Sequence, residues 1–182
     1  MNTMAISPKY ANGLRFGLIT AGLYILLLFI RYHFFYTSPA AFSVFSIVSY
    51  VIILVMFLLA GIARRKELGG YAELREIFQS LFIVILIAEA TYVLFNFLYL
   101  KYIDPGFYAR FEAGSLAYFR HENLSTEQEQ QEVKNIRSFL ETTKPSYLWK
   151  GFAPAVVADS VICFVFAFVL RRKKPISPES KL

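Results

Sequence analysis

The fold of this chain is decided by residues 40–63, AAFSVFSIVSYVIILVMFLLAGIA, which are followed at once by Arg64, Arg65 and Lys66. The stretch contains no charged side chain. As an α-helix it would be about 36 Å long at 1.5 Å per residue, which exceeds the hydrocarbon layer of roughly 30 Å. It therefore predicts a membrane-spanning helix that stops at the basic cluster.

The composition of the whole chain agrees with a protein that lies mostly in lipid. It has 182 residues, of which 57% are hydrophobic and 18% aromatic, and its mean hydropathy is +0.48. The net charge of +6 is modest and scattered, so we expect no nucleic-acid partner. A single cysteine excludes a disulfide framework and an all-cysteine metal site within one chain. We expect one membrane domain over residues 1–182.

A first span is predicted over residues 12–35. Its uncharged run, residues 16–30, is short, and it crosses only if Arg15 and Arg31 extend toward opposite headgroups. A signal peptide is the competing interpretation, because basic residues precede an apolar stretch. The bulky residues 31–36, RYHFFY, argue against cleavage.

Two further spans each require a carboxylate within the lipid. Residues 74–100 are unbroken only if Glu89 is accepted inside the span, and residues 151–170 likewise include Asp159. A basic tail over residues 171–182 follows the fourth span. The retention of positive charge on the cytoplasmic side predicts that both termini are cytoplasmic. In this orientation the inner segments net +7, the outer segments +1 and the lipid layer −2.

The long outer connection, residues 104–145, has the pattern of an amphipathic helical hairpin. Asp104 and Pro105 resemble an N-cap followed by proline at the first helical position. Ser125, with Gln128 three residues later, predicts the start of a second helix that Pro145 ends. Such a hairpin lies on the lipid headgroups, covers its own bundle or binds a partner.

The spans also predict a polar interior. Counting from the helix ends places Glu89 and Asp159 at a matched depth near the midplane, and each span has one small or polar stripe. One hypothesis is that the two carboxyl groups share a proton or bind a cation, because burial and repulsion disfavour two negative charges. The other is that they act only as polar contacts between helices, either both protonated or one of them paired with Arg31 and with serine and tyrosine hydroxyl groups. The other candidates for this site are Asn96, Tyr92, Thr20, Ser49 and Arg31, and the candidates for close helix packing are Gly13, Gly17 and Ala21.

Other candidate sites are weaker. His33 is interpreted as an interfacial histidine, Cys163 as a small core residue, and His121–Glu122 lacks the second histidine of a zinc-protease motif. We therefore expect no metal, no cofactor and no catalytic residue.

Several short stretches resemble a bacterial membrane-protein family catalogued as domain of unknown function 4199. They are residues 14–20 (LRFGLIT), 102–105 (YIDP), 124–127 (LSTE) and 170–175 (LRRKKP), and their order covers nearly the whole chain. The resemblance implies a four-span protein of the bacterial inner membrane. It brings no catalytic residues.

Together these patterns predict an all-α integral membrane protein: a four-helix transmembrane bundle with the amphipathic hairpin in the outer loop between spans 3 and 4. We expect a non-enzymatic accessory or scaffold protein that acts through helix–helix and outer-hairpin contacts. Its partners would be the lipid bilayer and another membrane protein or a second copy. A small proton- or cation-linked transport protein is the alternative, and a membrane enzyme acting on lipid or glycan is the third.

Overall fold

The structure is a computed structural model that describes residues 8–121 and 125–173. Helices account for most of these residues, and no β-strand is present among them. In chain order they are α1 (Pro8–Phe34), α2 (Pro39–Glu67), α3 (Leu74–Leu98), a π-helix (Tyr99–Ile103), α4 (Phe107–His121), α5 (Thr126–Thr143) and α6 (Pro145–Leu170). Most of the predicted basic tail, from Lys174 onward, and the stretch from Glu122 to Leu124 lie outside the described residues.

Four helices are long and apolar enough to cross a membrane, namely α1, α2, α3 with its π-helix, and α6. This confirms the predicted all-α, four-span architecture. The helix ends differ from the predicted limits. For example, α6 begins at Pro145 rather than at residue 151, because proline is well tolerated in the first turn of a helix.

The third helix has the most extensive contacts in the bundle, and it packs against α1, α2 and α6. Its contact with α1 is close because two glycines face it. A Cβ atom on Gly13 would lie 2.8 Å from the Ser80 carbonyl oxygen, and one on Gly17 would lie 2.5 Å from Cδ1 of Ile87. Small residues at these positions allow the two backbones to approach closely. Ala21, one turn further along α1, is also buried.

Local signals explain where the spans begin. The Ser38 hydroxyl accepts a hydrogen bond from the Ala41 N–H at 3.3 Å, and Pro39 is the first residue of α2. Gly69 and Gly70 follow α2 with φ of 74° and 86°, a region that glycine adopts at little cost. The two glycines therefore form the turn from α2 into α3.

Helices α4 and α5 pack against each other in antiparallel orientation at the end of the bundle where α1 ends and α2 begins. The Arg137 guanidinium pairs with Glu112 at 3.0 Å. The Tyr108 hydroxyl donates to the Thr143 carbonyl oxygen at 2.7 Å, and burial raises the pKa of this tyrosine. The ring of Phe111 packs on Phe42 of α2, with 4.8 Å between centroids. We call this pair of helices the cap.

The two predicted helix starts in the cap have different outcomes. Ser125 and Gln128 form the expected capping box at the start of α5. Asp104 and Pro105 do not begin α4, which starts at Phe107. The Asp104 carboxylate pairs with Arg110 instead of capping a backbone N–H through its side chain. The side of the membrane on which the cap lies stays a prediction.

Candidate functional site: a buried polar layer

The two carboxylates of the spans meet in the interior of the bundle. Glu89 is on α3 and Asp159 on α6, and their side chains are within hydrogen-bonding reach of each other. Only 5% of Glu89 and 3% of Asp159 is exposed. The hydroxyl of Tyr50, on α2, donates to Oδ1 of Asp159 at 2.7 Å. Three spans therefore contribute to one acidic cluster.

The hydrogen bonding of this acid pair is incomplete without a proton. Oδ2 of Asp159 is buried and has no hydrogen-bond partner in the described part of the chain. A proton on Glu89 would donate to Asp159 and would also remove one of two adjacent negative charges. Adjacent carboxyl groups can share a proton in this way.

Thr20 and Ser49 are buried in the core, but no hydrogen bond among the described residues joins them to the acid pair. Thr20 is fully buried and its hydroxyl oxygen has no partner among the described residues. Ser49 donates to the carbonyl oxygen of Phe45, one turn earlier in its own helix, at 2.7 Å. Both hydroxyl groups thus add polarity to the interior without ligating either carboxylate.

Arg31 organises a second polar cluster toward the cap. Its guanidinium donates to the Ser46 hydroxyl at 3.1 Å and to the Tyr32 hydroxyl at 3.0 Å. Tyr32 in turn donates to Oδ1 of Asn96, whose amide donates to the Tyr92 carbonyl oxygen at 2.6 Å. No described carboxylate forms an ion pair with Arg31. Arg31, Asn96 and Tyr92 therefore belong to a network of their own and not to the acid pair.

One cavity reaches the second cluster. Open cavities of about 510, 650 and 730 Å³ are found among the described residues. Arg31, Ser46 and Tyr92 line the one of about 650 Å³, which opens between α2 and the cap. Neither Glu89 nor Asp159 lines any of these three. We call the cavity that contains Arg31 the cap cavity.

Some polar contacts were not predicted from the sequence. Tyr50 bonds Asp159 in the first cluster, and Tyr32 bonds Arg31 and Asn96 in the second. Neither bond was predicted, although both tyrosines lie inside predicted spans. A third network joins three helices near the other end of the bundle. There the Asn12 amide donates to Glu67 at 3.0 Å, and the Ser80 hydroxyl donates to Asn12 at 2.9 Å. Asn12 and Ser80 are polar residues in apolar helices, which is the signal that could have found this network.

The weaker candidates have ordinary surroundings. The ring of His33 stacks on Phe29, with 5.7 Å between centroids. Cys163 is a buried free thiol. His121 ends α4, and its neighbour Glu122 lies outside the described residues. No group of three or more His, Cys, Asp or Glu side chains that could hold a metal ion is found within residues 8–121 and 125–173.

Four apolar helices around buried polar clusters define an integral membrane protein with four spans. Residues 15–172 match the family described as protein of unknown function (DUF4199), and the chain belongs to that family. No curated protein and no solved structure gives a significant match.

Proposed function

We propose that this protein is a non-enzymatic accessory or scaffold protein of the bacterial inner membrane, with both termini in the cytoplasm. It acts through its helix faces and through the cap, and its partner is another membrane protein or a second copy of the chain. The observation that carries the proposal is the surface of α5. Its described side chains are exposed along the helix except on one strip, where Leu140 is buried.

The character of that surface favours contact with a protein rather than with lipid. Exposed positions include Gln131, Lys134 and Ser138, and α5 as a whole carries both acidic and basic residues. A helix that lies on a membrane surface presents a broad apolar face to the acyl chains and basic residues to the headgroups. The apolar strip of α5 is turned toward α4 and α2 instead, as the ring contact between Phe139 and Phe42 illustrates.

Photocrosslinking in the protein's own membrane tests this proposal. A photoactivatable amino acid is placed at Ser138 on α5, and a matched control is placed at Lys66, which is also exposed but lies at the opposite end of the bundle. We expect an adduct with a protein of defined mass from Ser138 and not from Lys66. An adduct of twice the chain mass would identify self-association. If Ser138 yields no protein adduct, or the same adducts as Lys66, the cap is not the binding surface.

A proton-linked transport function is the second candidate, and the acid pair is the observation that favours it. Glu89 and Asp159 are in contact within the lipid layer, and an oxygen of Asp159 lacks a partner among the described residues. Ionisable residues inside spans often mark proton pathways. Tyr50, which donates to the buried Asp159, is itself 37% exposed, so this tyrosine connects the acid pair with the surface of α2. A second copy packed there would enclose it.

Proton flux into vesicles separates this candidate from the first. The full chain is reconstituted with an internal pH-sensitive dye, and a membrane potential is imposed. Transport predicts proton entry faster than in empty vesicles, its loss in Glu89→Gln and Asp159→Asn, and its retention in the exposed control Glu141→Gln. Flux equal to that of empty vesicles would exclude the candidate. Turnover of a lipid or glycan by the purified protein would instead contradict the non-enzymatic proposal and support the third alternative, a membrane enzyme.

A further inference from the structure

Arg31 is a cation near the end of α1, and the groups that accept hydrogen bonds from its guanidinium are all neutral. The hydroxyl proton of Ser46 is already donated to the Phe42 carbonyl oxygen at 2.7 Å, so its oxygen accepts from the guanidinium. The hydroxyl of Tyr32 likewise donates to Asn96 and accepts from Arg31. The third nitrogen, Nε, is buried and has no partner among the described residues.

The positive charge of Arg31 is therefore held in place but not neutralised. Its guanidinium lies over the rings of Tyr32 and Phe42, with 4.9 and 4.8 Å to their centroids. Such contacts orient a cation without cancelling its charge. A partly desolvated cation is costly unless an anion compensates it.

The space beside Arg31 has the size and chemistry of a ligand site. The cap cavity holds about 650 Å³, which is within the range of roughly 300 to 1,000 Å³ for small-molecule sites. Phe111, Phe119 and Phe139 contribute apolar walls, and Ser43 and Ser46 contribute hydroxyl groups. An occupant would meet a charged base, a few hydrogen-bonding groups and an apolar surround.

The mouth of the cap cavity continues onto the lipid-facing side of α2. Ala40, Ser43 and Ile47 line the cavity and are exposed at the surface, Ile47 to 66%. Along the same helix, Val44 is 61% exposed and Val51 is 52% exposed. A molecule with an anionic head in the cavity could therefore lay an apolar tail along α2 toward the membrane centre.

We propose that the cap cavity binds the phosphate headgroup of an anionic phospholipid from the surrounding bilayer, with Arg31 as its principal ligand. The guanidinium fork suits phosphate oxygens, and Arg31 lines the cap cavity. The acyl chains lie along the exposed apolar face of α2. This inference is independent of the proposed protein partner, since it concerns the purified chain and its lipid.

One acidic residue that lines the cap cavity would repel an anion, but it lies on the side of the cavity away from Arg31. Glu132 of α5 also lines the cap cavity, but it accepts a hydrogen bond from Asn135 at 3.4 Å and forms no ion pair with Arg31. It lies on the cap side of the cavity, whereas Arg31 extends from the end of a span. The head of a bound lipid would lie on the Arg31 side.

Native mass spectrometry of the full chain tests the proposal. The protein is released from micelles that contain equal amounts of dioleoyl phosphatidylglycerol and dioleoyl phosphatidylcholine. We expect retention of phosphatidylglycerol to exceed that of phosphatidylcholine by about tenfold or more, since hydrogen bonds to charged groups are among the strongest in proteins. Arg31→Gln should lose the preference, and Arg31→Lys should keep part of it. The control Arg65→Gln, at the opposite end of the bundle, should keep it in full.

A second variant leaves Arg31 in place and keeps the test decisive if Arg31→Gln does not fold. Ser43→Trp places a large side chain in the exposed mouth of the cavity, so it should also abolish the preference. Equal retention of the two lipids by the wild type, or an unchanged preference in Ser43→Trp, would overturn the proposal. Glycerol 1-phosphate is added as a competitor. If it displaces the lipid at equal concentration, the ligand is a soluble phosphate and the assignment to a lipid is wrong.

Discussion

At the scale of single residues, the interior of this protein separates negative from positive charge. The acid pair of Glu89 and Asp159 is sealed in the bundle, while Arg31 lies toward the cap and lines an open cavity. Opposite charges buried in lipid usually pair, because each then lowers the cost of the other. Their separation here means that each cluster needs its own compensation, a proton for the acids and an anion for the arginine.

The shared proton can be tested by two substitutions at one position. Glu89→Gln keeps the shape of a protonated glutamate and retains an N–H donor for Asp159, so the free energy of unfolding should change by less than about 0.5 kcal/mol. Glu89→Leu removes the donor and leaves Asp159 with a buried, unsatisfied oxygen, which should cost about 1–3 kcal/mol.

Both values come from reversible unfolding of the full chain in mixed micelles by increasing amounts of denaturing detergent. If Glu89→Gln destabilises as strongly as Glu89→Leu, Glu89 is not a proton donor in the native protein.

The positions of the acid pair followed from the sequence, but its hydrogen-bond partners did not. Depth in a membrane depends only on the number of residues from a helix end, so Glu89 and Asp159 could be matched by counting. Which side chains meet at that depth depends on the rotation of each helix about its own axis. That rotation is set by packing, and for this reason the bond from Tyr50 to Asp159 was not predicted and Arg31 was expected to reach the acids.

At the scale of helices, the contact between α1 and α3 depends on glycine. The backbone of α1 comes so close to α3 that a Cβ atom on Gly17 would meet Ile87. Gly22, on the same helix, has no other atom within 4 Å of its Cβ position. Gly17 is therefore needed for close packing, whereas Gly22 faces lipid and has room for a side chain.

Leucine at each of these positions should have very different effects. Gly17→Leu forces α1 away from α3 and should lower the free energy of unfolding by about 1–3 kcal/mol or more. Gly22→Leu extends into lipid and should leave it unchanged or slightly higher, because leucine favours a helix over glycine. The double variant Gly17→Leu, Ile87→Ala should recover part of the loss. Equal effects of the two single variants, measured by the same unfolding assay, would contradict this account of the α1–α3 contact.

The helices themselves were predictable to different degrees. Those that cross the membrane were found because charged residues bound long apolar runs, as Arg64 does after α2. The start of α4 was predicted too early, since Asp104 pairs with Arg110 rather than capping the helix. The π-helix at Tyr99–Ile103 was not expected either.

At the scale of the whole molecule, the basic clusters predict the orientation in the membrane. They lie at the end of the bundle opposite the cap. Positively charged segments are retained in the cytoplasm, so the cap should face outward.

Cysteine labelling of intact cells measures this orientation directly. Cys163 is buried and is replaced by alanine, and single cysteines are then introduced as Thr142→Cys in the cap or Lys66→Cys after α2. A membrane-impermeant maleimide should label Thr142→Cys in intact cells and Lys66→Cys only after the membrane is permeabilised. The reverse pattern would invert the topology, and with it the proposed cytoplasmic termini.

The wide separation of the acid pair along the chain affects how the protein is made. Glu89 enters the membrane with α3, whereas Asp159 is translated only after both helices of the cap. Until then Glu89 has no acidic neighbour, and the insertion of its helix depends on packing against α1 and α2, which are already synthesised. The newly made protein therefore passes through a three-span intermediate with an incomplete interior. Mutations that weaken α6 should leave this intermediate exposed to membrane quality control rather than merely lower the stability of the finished bundle.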